Sequence, residues 1–158
     1  MGIPTFFDRL SGMKENLSAP SRIRDLPSWL LGRAAARGRG LVSAALAQHD
    51  MKMWHHVVLA AVADLGPIAQ ADLGRTVSLD PKDLVGVLND LQSAGLVVRA
   101  PDPADRRKNA VSLTAGGEQR LEECTAAGNQ ANDELLAPLS AAERAQFLEM
   151  LRRISGVR

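Results

Sequence analysis

The chain has 158 residues, 46% hydrophobic and 23% charged, ordinary globular values that exclude a disordered or collagen-like polypeptide. One cysteine excludes an internal disulfide and an all-cysteine zinc cage, and 3% aromatic residues with no tyrosine argue against extended stacking on single-stranded nucleic acid. A formal net charge of +1 advertises no polyanion partner, so any nucleic-acid surface must come from local charge placement.

Residues 1–26 form an arm punctuated by Pro4, Gly12 and Pro20, with Phe6, Phe7 and Leu10 as its apolar cluster. A partly ordered tail and a packed dimer arm both fit it. Met1 to Leu17 mixes Asp8, Arg9, Lys14 and Glu15 without an apolar core, so no secretory signal is expected. The longest apolar run, Val57 to Ala63, is too short to span a bilayer, and a cytoplasmic protein with no membrane partner is the expectation.

Ser28 to Gln48 carries Leu30, Leu31, Ala34, Leu41, Val42, Ala45 and Leu46 at helical spacing. Gly38 and Gly40 weaken that helix by about 1 kcal/mol each relative to alanine. A second helix runs from about Met53 to Leu65 and stops at the breaker pair Gly66-Pro67. A short helix comes next, over Gln70 to Val77. Asp80-Pro81-Lys82-Asp83 then opens another, with Asp80 as N-cap, Pro81 at the first helical position and Asp83 near the positive dipole end. That helix places Leu84, Val87, Leu88 and Leu91 on one face and ends at Gly95. A short helix, a tight turn and a longer capped helix suit a helix-turn-helix, and equally an ordinary αα-hairpin.

The segment after Gly95 separates the two. Leu96 to Arg99 and Ala110 to Leu113 are β-prone and enclose a polar, proline-stiffened stretch, which predicts a β-hairpin. A helix-turn-helix leading into a hairpin with a basic tip is a winged helix. The tip holds Arg106, Arg107 and Lys108 in a row, with Arg99 on the rising strand, where a wing would meet a DNA backbone. Thr114 can cap a helix reaching about Leu136, and Ser140-Ala141-Ala142-Glu143 is a capping box for a final helix whose buried face would be Phe147, Leu148, Leu151 and Ile154. In the longer helix Gly117, Leu121, Cys124, Gly128, Ala131 and Leu135 recur at spacings of four and three, a seam suited to a partner helix. The fold class is therefore mainly α with a small β-wing: a winged helix-turn-helix plus dimerisation helices.

The stretch Leu96 to Gly117, LVVRAPDPADRRKNAVSLTAGG, resembles the wing of the MarR family of transcriptional regulators, through Asp102, Pro103, Asp105, Arg106, Arg107, Leu113, Thr114 and Gly117. The resemblance covers about residues 28–155. It implies a homodimer whose terminal helices pair, binding a pseudo-palindromic operator in double-stranded DNA, with Arg107 in the minor groove and Asp105 orienting the wing. The expected organisation is an arm over 1–26, a dimerisation helix over 27–50, the DNA-binding domain over 51–114 and dimerisation helices over 115–158.

The residues agree on mechanism. An arginine on a stiff hairpin can enter a narrow, negatively charged minor groove, and the helix beginning at Asp80 would lie in the major groove. Many relatives place arginines where this chain has Gly86 and Asp90. With Asp80, Asp83 and Asp90, this recognition helix is poor in positive charge. Lys82 and Asn89, with Thr76 and Ser78 at the turn, are the candidate base or phosphate contacts, and affinity should lean on Asp105, Arg106, Arg107, Lys108 and Arg99 in the wing.

The resemblance also implies a small-molecule effector in a crevice between dimer helices and DNA-binding lobe. Trp29, Arg33, Trp54, His55 and His56 are the candidate ligand residues; arginine beside imidazole and indole suits an aromatic carboxylate. Core or dimer packing of the tryptophans is the alternative. Cys124 on the apolar seam is expected to be a buried thiol rather than a peroxide sensor. Three histidines without further ligands argue against a dedicated metal site. No GxSxG elbow, P-loop, HExxH or nucleotide-binding glycine fingerprint occurs, so neither an enzyme nor a cofactor is expected. A repressor released from its operator by a small aromatic or carboxylic ligand is the leading expectation, and a protein-interaction winged helix or an effector-free DNA-binding protein is the rival.

Overall fold

The computed structural model describes residues 20–102 and 109–156. Its elements are α1 (Pro27–Ala47), α2 (Met53–Leu65), β1 (Ile68–Ala69), α3 (Gln70–Val77), α4 (Pro81–Ser93), β2 (Val97–Pro101), β3 (Asn109–Leu113), α5 (Ala115–Leu135) and α6 (Ala141–Ser155). Among the described residues no helix is long and apolar enough to cross a membrane. The chain divides into two units, one spanning Val42–Ala131 and one built from the described parts of Met1–Leu41 and Asn132–Arg158.

The first unit is the winged helix. Its core is formed by Leu46, Met51, Val58, Leu59, Val62, Leu73, Leu84, Leu88, Leu91, Leu96, Val97, Val111 and Cys124. The helix ends obey local chemistry. The Asp80 carboxylate accepts the Lys82 N–H at 2.8 Å, with proline just inside the helix. The turn between α3 and α4 passes through Ser78 in the left-handed region (φ 54°), and its N–H bonds back to Arg75. Gly74 lies where α3 and α4 cross, with a Leu84 methyl 3.3 Å from where a Cβ would stand.

The sheet has three antiparallel strands in the order β1-β3-β2. The two-residue β1, pairing Ile68 with Val111 and Ala69 with Ala110, was not anticipated. At the root of the wing one hydroxyl joins three segments. Thr114 Oγ1 donates to the Gly95 carbonyl at 2.7 Å and accepts the Gly117 N–H at 3.0 Å, while the Thr114 N–H donates to the Leu96 carbonyl. Gly117 is required there: a Cβ would collide with the Leu96 carbonyl oxygen.

Two expectations about the last third need correction. Gly117 packs against the Leu96 carbonyl and Cys124 belongs to the winged-helix core, so that end of the seam is occupied internally rather than free for a partner helix, whereas a Cβ at Gly128 would meet open space. In the second unit no residue of α6 is buried. The face expected to be covered leaves Leu148 42% and Ile154 70% exposed, with none of this unit's described residues lying over it. Here the capping box at Ser140 is present, and its two hydrogen bonds hold the Glu143 carboxyl below the usual carboxylate range.

Candidate nucleic-acid interface

The outer face of α4 is built by exclusion: Leu84, Leu88 and Leu91 turn inward, leaving Lys82, Val85, Gly86, Asn89 and Gln92 exposed. Thr76 and Ser78, at the end of α3 and in the turn, are exposed beside it. The helix-turn-helix thus gathers Thr76, Ser78, Lys82 and Asn89 on α3, the turn and α4. Asp105, Arg106, Arg107 and Lys108 lie outside the described residues.

The acidic residues of α4 have structural roles. Asp80 caps the helix, and Asp83 occupies its first turn, where the dipole favours negative charge. Asp90 faces the start of α2. Its Oδ2 lies 3.2 Å from His55 Nε2 and 3.7 Å from Lys52 Nζ. The Lys52 N–H donates to His55 Nδ1 at 3.2 Å. A backbone N–H can only donate, so Nδ1 is the bare nitrogen and Nε2 carries the proton toward Asp90. His55 is buried with both ring nitrogens engaged, which makes it a brace between α2 and α4.

Arg99 lies on β2, the rising strand of the wing, as expected, but its side chain turns toward α4. Strand alternation puts it on the same side as Val97, which is buried in the core. Two residues further along, that side clears the rim of the core and meets α4. Arg99 Nε donates to Gln92 Oε1 at 2.5 Å and Nη2 donates to Asn89 Oδ1 at 2.7 Å. Asn89 and Arg99, expected as separate contacts, form one cluster with Gln92, a residue sequence reasoning missed. The alternation of β2 was the available signal.

Of the remaining candidates, Trp54 is 43% exposed, and His56 is half-buried with Nε2 3.4 Å from Thr125 Oγ1. Burial pulls the His56 pKa below its ordinary value. Trp29 and Arg33 belong to the terminal-helix unit, half-buried and exposed respectively. A cavity of about 600 Å³ in the winged unit is lined by Lys52, His55, Asp90, Ser93 and Arg120 among others, a volume in the range of small-molecule sites. Arg120 donates to the His49 carbonyl at 2.6 Å and pairs with Glu123 at 3.2 Å. Burial pushes the Cys124 thiol pKa up, partly offset by Arg120. Among the described residues no three His, Cys, Asp or Glu side chains gather as a metal site.

The family model described as MarR family matches residues 49–108. The chain is 32% identical over 105 residues to the transcriptional regulator HosA of Escherichia coli O111:H-, covering 66% of this chain and 78% of that protein. It is similar to the crystal structure of the Mycobacterium tuberculosis MarR family protein Rv2887 in complex with DNA (TM-score 0.72, 28% identity, 87% of this chain and 98% of that one). It is also similar to Bordetella bronchiseptica BpsR, described with the regulation of its DNA binding by 6-hydroxynicotinic acid (TM-score 0.73, 28% identity, 88% and 99% covered).

Proposed function

The chain belongs to the MarR family of transcriptional regulators, DNA-binding proteins and not enzymes, and from that premise we propose that it acts as a homodimeric repressor of a pseudo-palindromic operator, released by a small aromatic or carboxylic ligand. The observation that carries the reading is the winged helix-turn-helix with a polar outer face on a well-capped α4. In this reading α4 enters the major groove, with Lys82 and Asn89 on base edges or phosphates and Thr76 and Ser78 at the backbone. Arg107 enters the minor groove, Asp105 orients the wing, and Arg106 and Lys108 neutralise phosphates. The exposed apolar side chains Leu26, Leu30, Leu31, Leu148, Met150 and Ile154 are the surface the second copy would cover.

For the effector, the similarity to a protein whose DNA binding is regulated by 6-hydroxynicotinic acid favours an aromatic acid. In this reading Trp54 and His56 supply a flat wall and a neutral hydrogen-bonding group, and Trp29 and Arg33 are the candidate ligand residues on α1. The cavity beside His55 adds Lys52 and Arg120, whose charges a ligand carboxylate would share with Asp90 and Glu123. A ligand acts here only through different affinities for the DNA-bound and released conformations.

The test is fluorescence anisotropy with duplex from the protein's own upstream region at two salt concentrations. Binding should weaken steeply with salt, and Arg107→Ala should weaken it on all sequences and flatten the salt dependence. Wild-type affinity in Arg107→Ala would remove the wing from the mechanism. No binding to any duplex would favour a protein-interaction winged helix.

A further inference from the structure

Helix α4 with its N-cap carries one cation of its own, Lys82, against Asp80, Asp83 and Asp90. The structure delivers a second from outside the helix. Asn89 and Gln92 are three residues apart and hence neighbours on the helix surface. The Arg99 guanidinium bridges their two carbonyl oxygens, at 2.7 and 2.5 Å. Chemistry fixes the amide orientations: guanidinium has only donors, so both amides must turn their oxygens to it and their NH2 groups away.

We propose that Arg99 is a specificity-determining residue: held on α4 by Asn89 and Gln92, it makes with them a positively charged, donor-rich cluster that selects guanine at one position of each operator half-site. The proposal rests on the DNA-binding reading above and deepens it. Two of the five guanidinium N–H groups are used on the amides, leaving three, and each amide contributes two more. Guanine presents two acceptors, N7 and O6, in the major groove; adenine presents one acceptor and one donor, and cytosine a donor. A cluster that offers mostly donors under a positive charge matches guanine and meets the amino groups of adenine and cytosine unfavourably. One lone pair remains on each amide oxygen, but the adjacent guanidinium charge opposes the partly positive N6 amino hydrogens that would have to approach it.

Selection from a library of randomised duplexes, with sequencing of the bound fraction, reads this directly. Wild-type protein should enrich a palindrome with guanine at one fixed position per half-site. Arg99→Gln should lower the preference for guanine over adenine there by about tenfold or more and leave the other selected positions unchanged. Asn89→Ala, on an exposed helical position that does not threaten the fold, should produce a smaller loss at the same position, because Arg99 is then held by Gln92 alone. Arg99→Lys keeps the charge without the planar fork and should recover only part of the preference. Variants that select the wild-type sequence, or an Arg99→Gln protein that loses affinity equally for every duplex, would overturn the assignment and leave Arg99 a structural or phosphate-contacting residue. A wild-type protein that enriches no sequence would overturn the sequence-specific DNA-binding reading itself.

Discussion

The segment Val42–Ala131 encloses Leu46, Leu59, Leu73, Leu84, Leu88 and Leu91 almost completely, whereas the terminal helices leave Leu30, Leu148, Met150 and Ile154 open to solvent. The two units draw on the same residue types. In the winged unit, short elements with different apolar periods close around one centre, and a three-stranded sheet seals one side. In the terminal unit the apolar stripes have no opposing layer among that unit's described residues. Burial is worth about 25 cal/mol per Å² of apolar surface, so the first unit has a core of its own, and in the homodimer proposed above the second would gain stability by association. In that homodimer, the way the copies meet could change without disturbing the winged unit.

The largest expected effect is in the self-contained unit. Leu88→Ala removes a fully buried side chain from α4 and should lower stability by about 2–5 kcal/mol in urea unfolding. An effect as small as that of an exposed residue would mean the winged core is not self-supporting. Next, Gly117→Ala places a methyl against the Leu96 carbonyl. It should cost about 1–3 kcal/mol, measured the same way, and nothing if the wing root can yield. Third, the double change Leu148→Glu and Ile154→Glu should turn dimer into monomer in sedimentation at micromolar concentration. Unfolding of the winged unit should stay within about 0.5 kcal/mol of wild type. A dimer that survives both charges would place association elsewhere.

The smallest effect concerns pH. The His56 pKa is lowered in the folded chain by burial, so the unfolded chain binds that proton more readily. Its contribution to stability is therefore present above the ordinary histidine value of about 6.5 and lost as pH falls from there through the folded pKa. Urea midpoints should fall between pH 7.5 and 5.5, and fall less in His56→Gln. Parallel curves for the two proteins would remove His56 from the balance.

Helix boundaries were legible because their causes are local: Asp80-Pro81 opens α4, Gly66-Pro67 closes α2, and Ser140 with Glu143 caps α6. The strand β1 was not, since two residues carry no period and its pairing partner Val111 is far along the chain. Of the site, the polar face of α4 could be predicted from the positions of its leucines. The roles of Asp90 and Arg99 could not, because His55 lies 35 residues from Asp90 and the Arg99 contacts exist only once β2 lies along α4. A count of charges on one helix therefore understated the basicity of the surface it belongs to.

Thr114 ties the carbonyl of Gly95 to the amide of Gly117, so the chain leaves for the wing and returns from it at a single knot. Beyond that knot the strands still carry Val97 and Val111 into the core and Arg99 onto α4, so only the stretch between them is an exchangeable attachment. Lengthening the stretch between Pro101 and Asn109 raises the entropic cost of closing the loop only slowly, by about 0.6 kcal/mol for each doubling of its length. The body of the molecule can thus keep its architecture while the reach and charge of the attachment drift, and a transplanted tip from a relative should graft onto this stem without redesign of the rest.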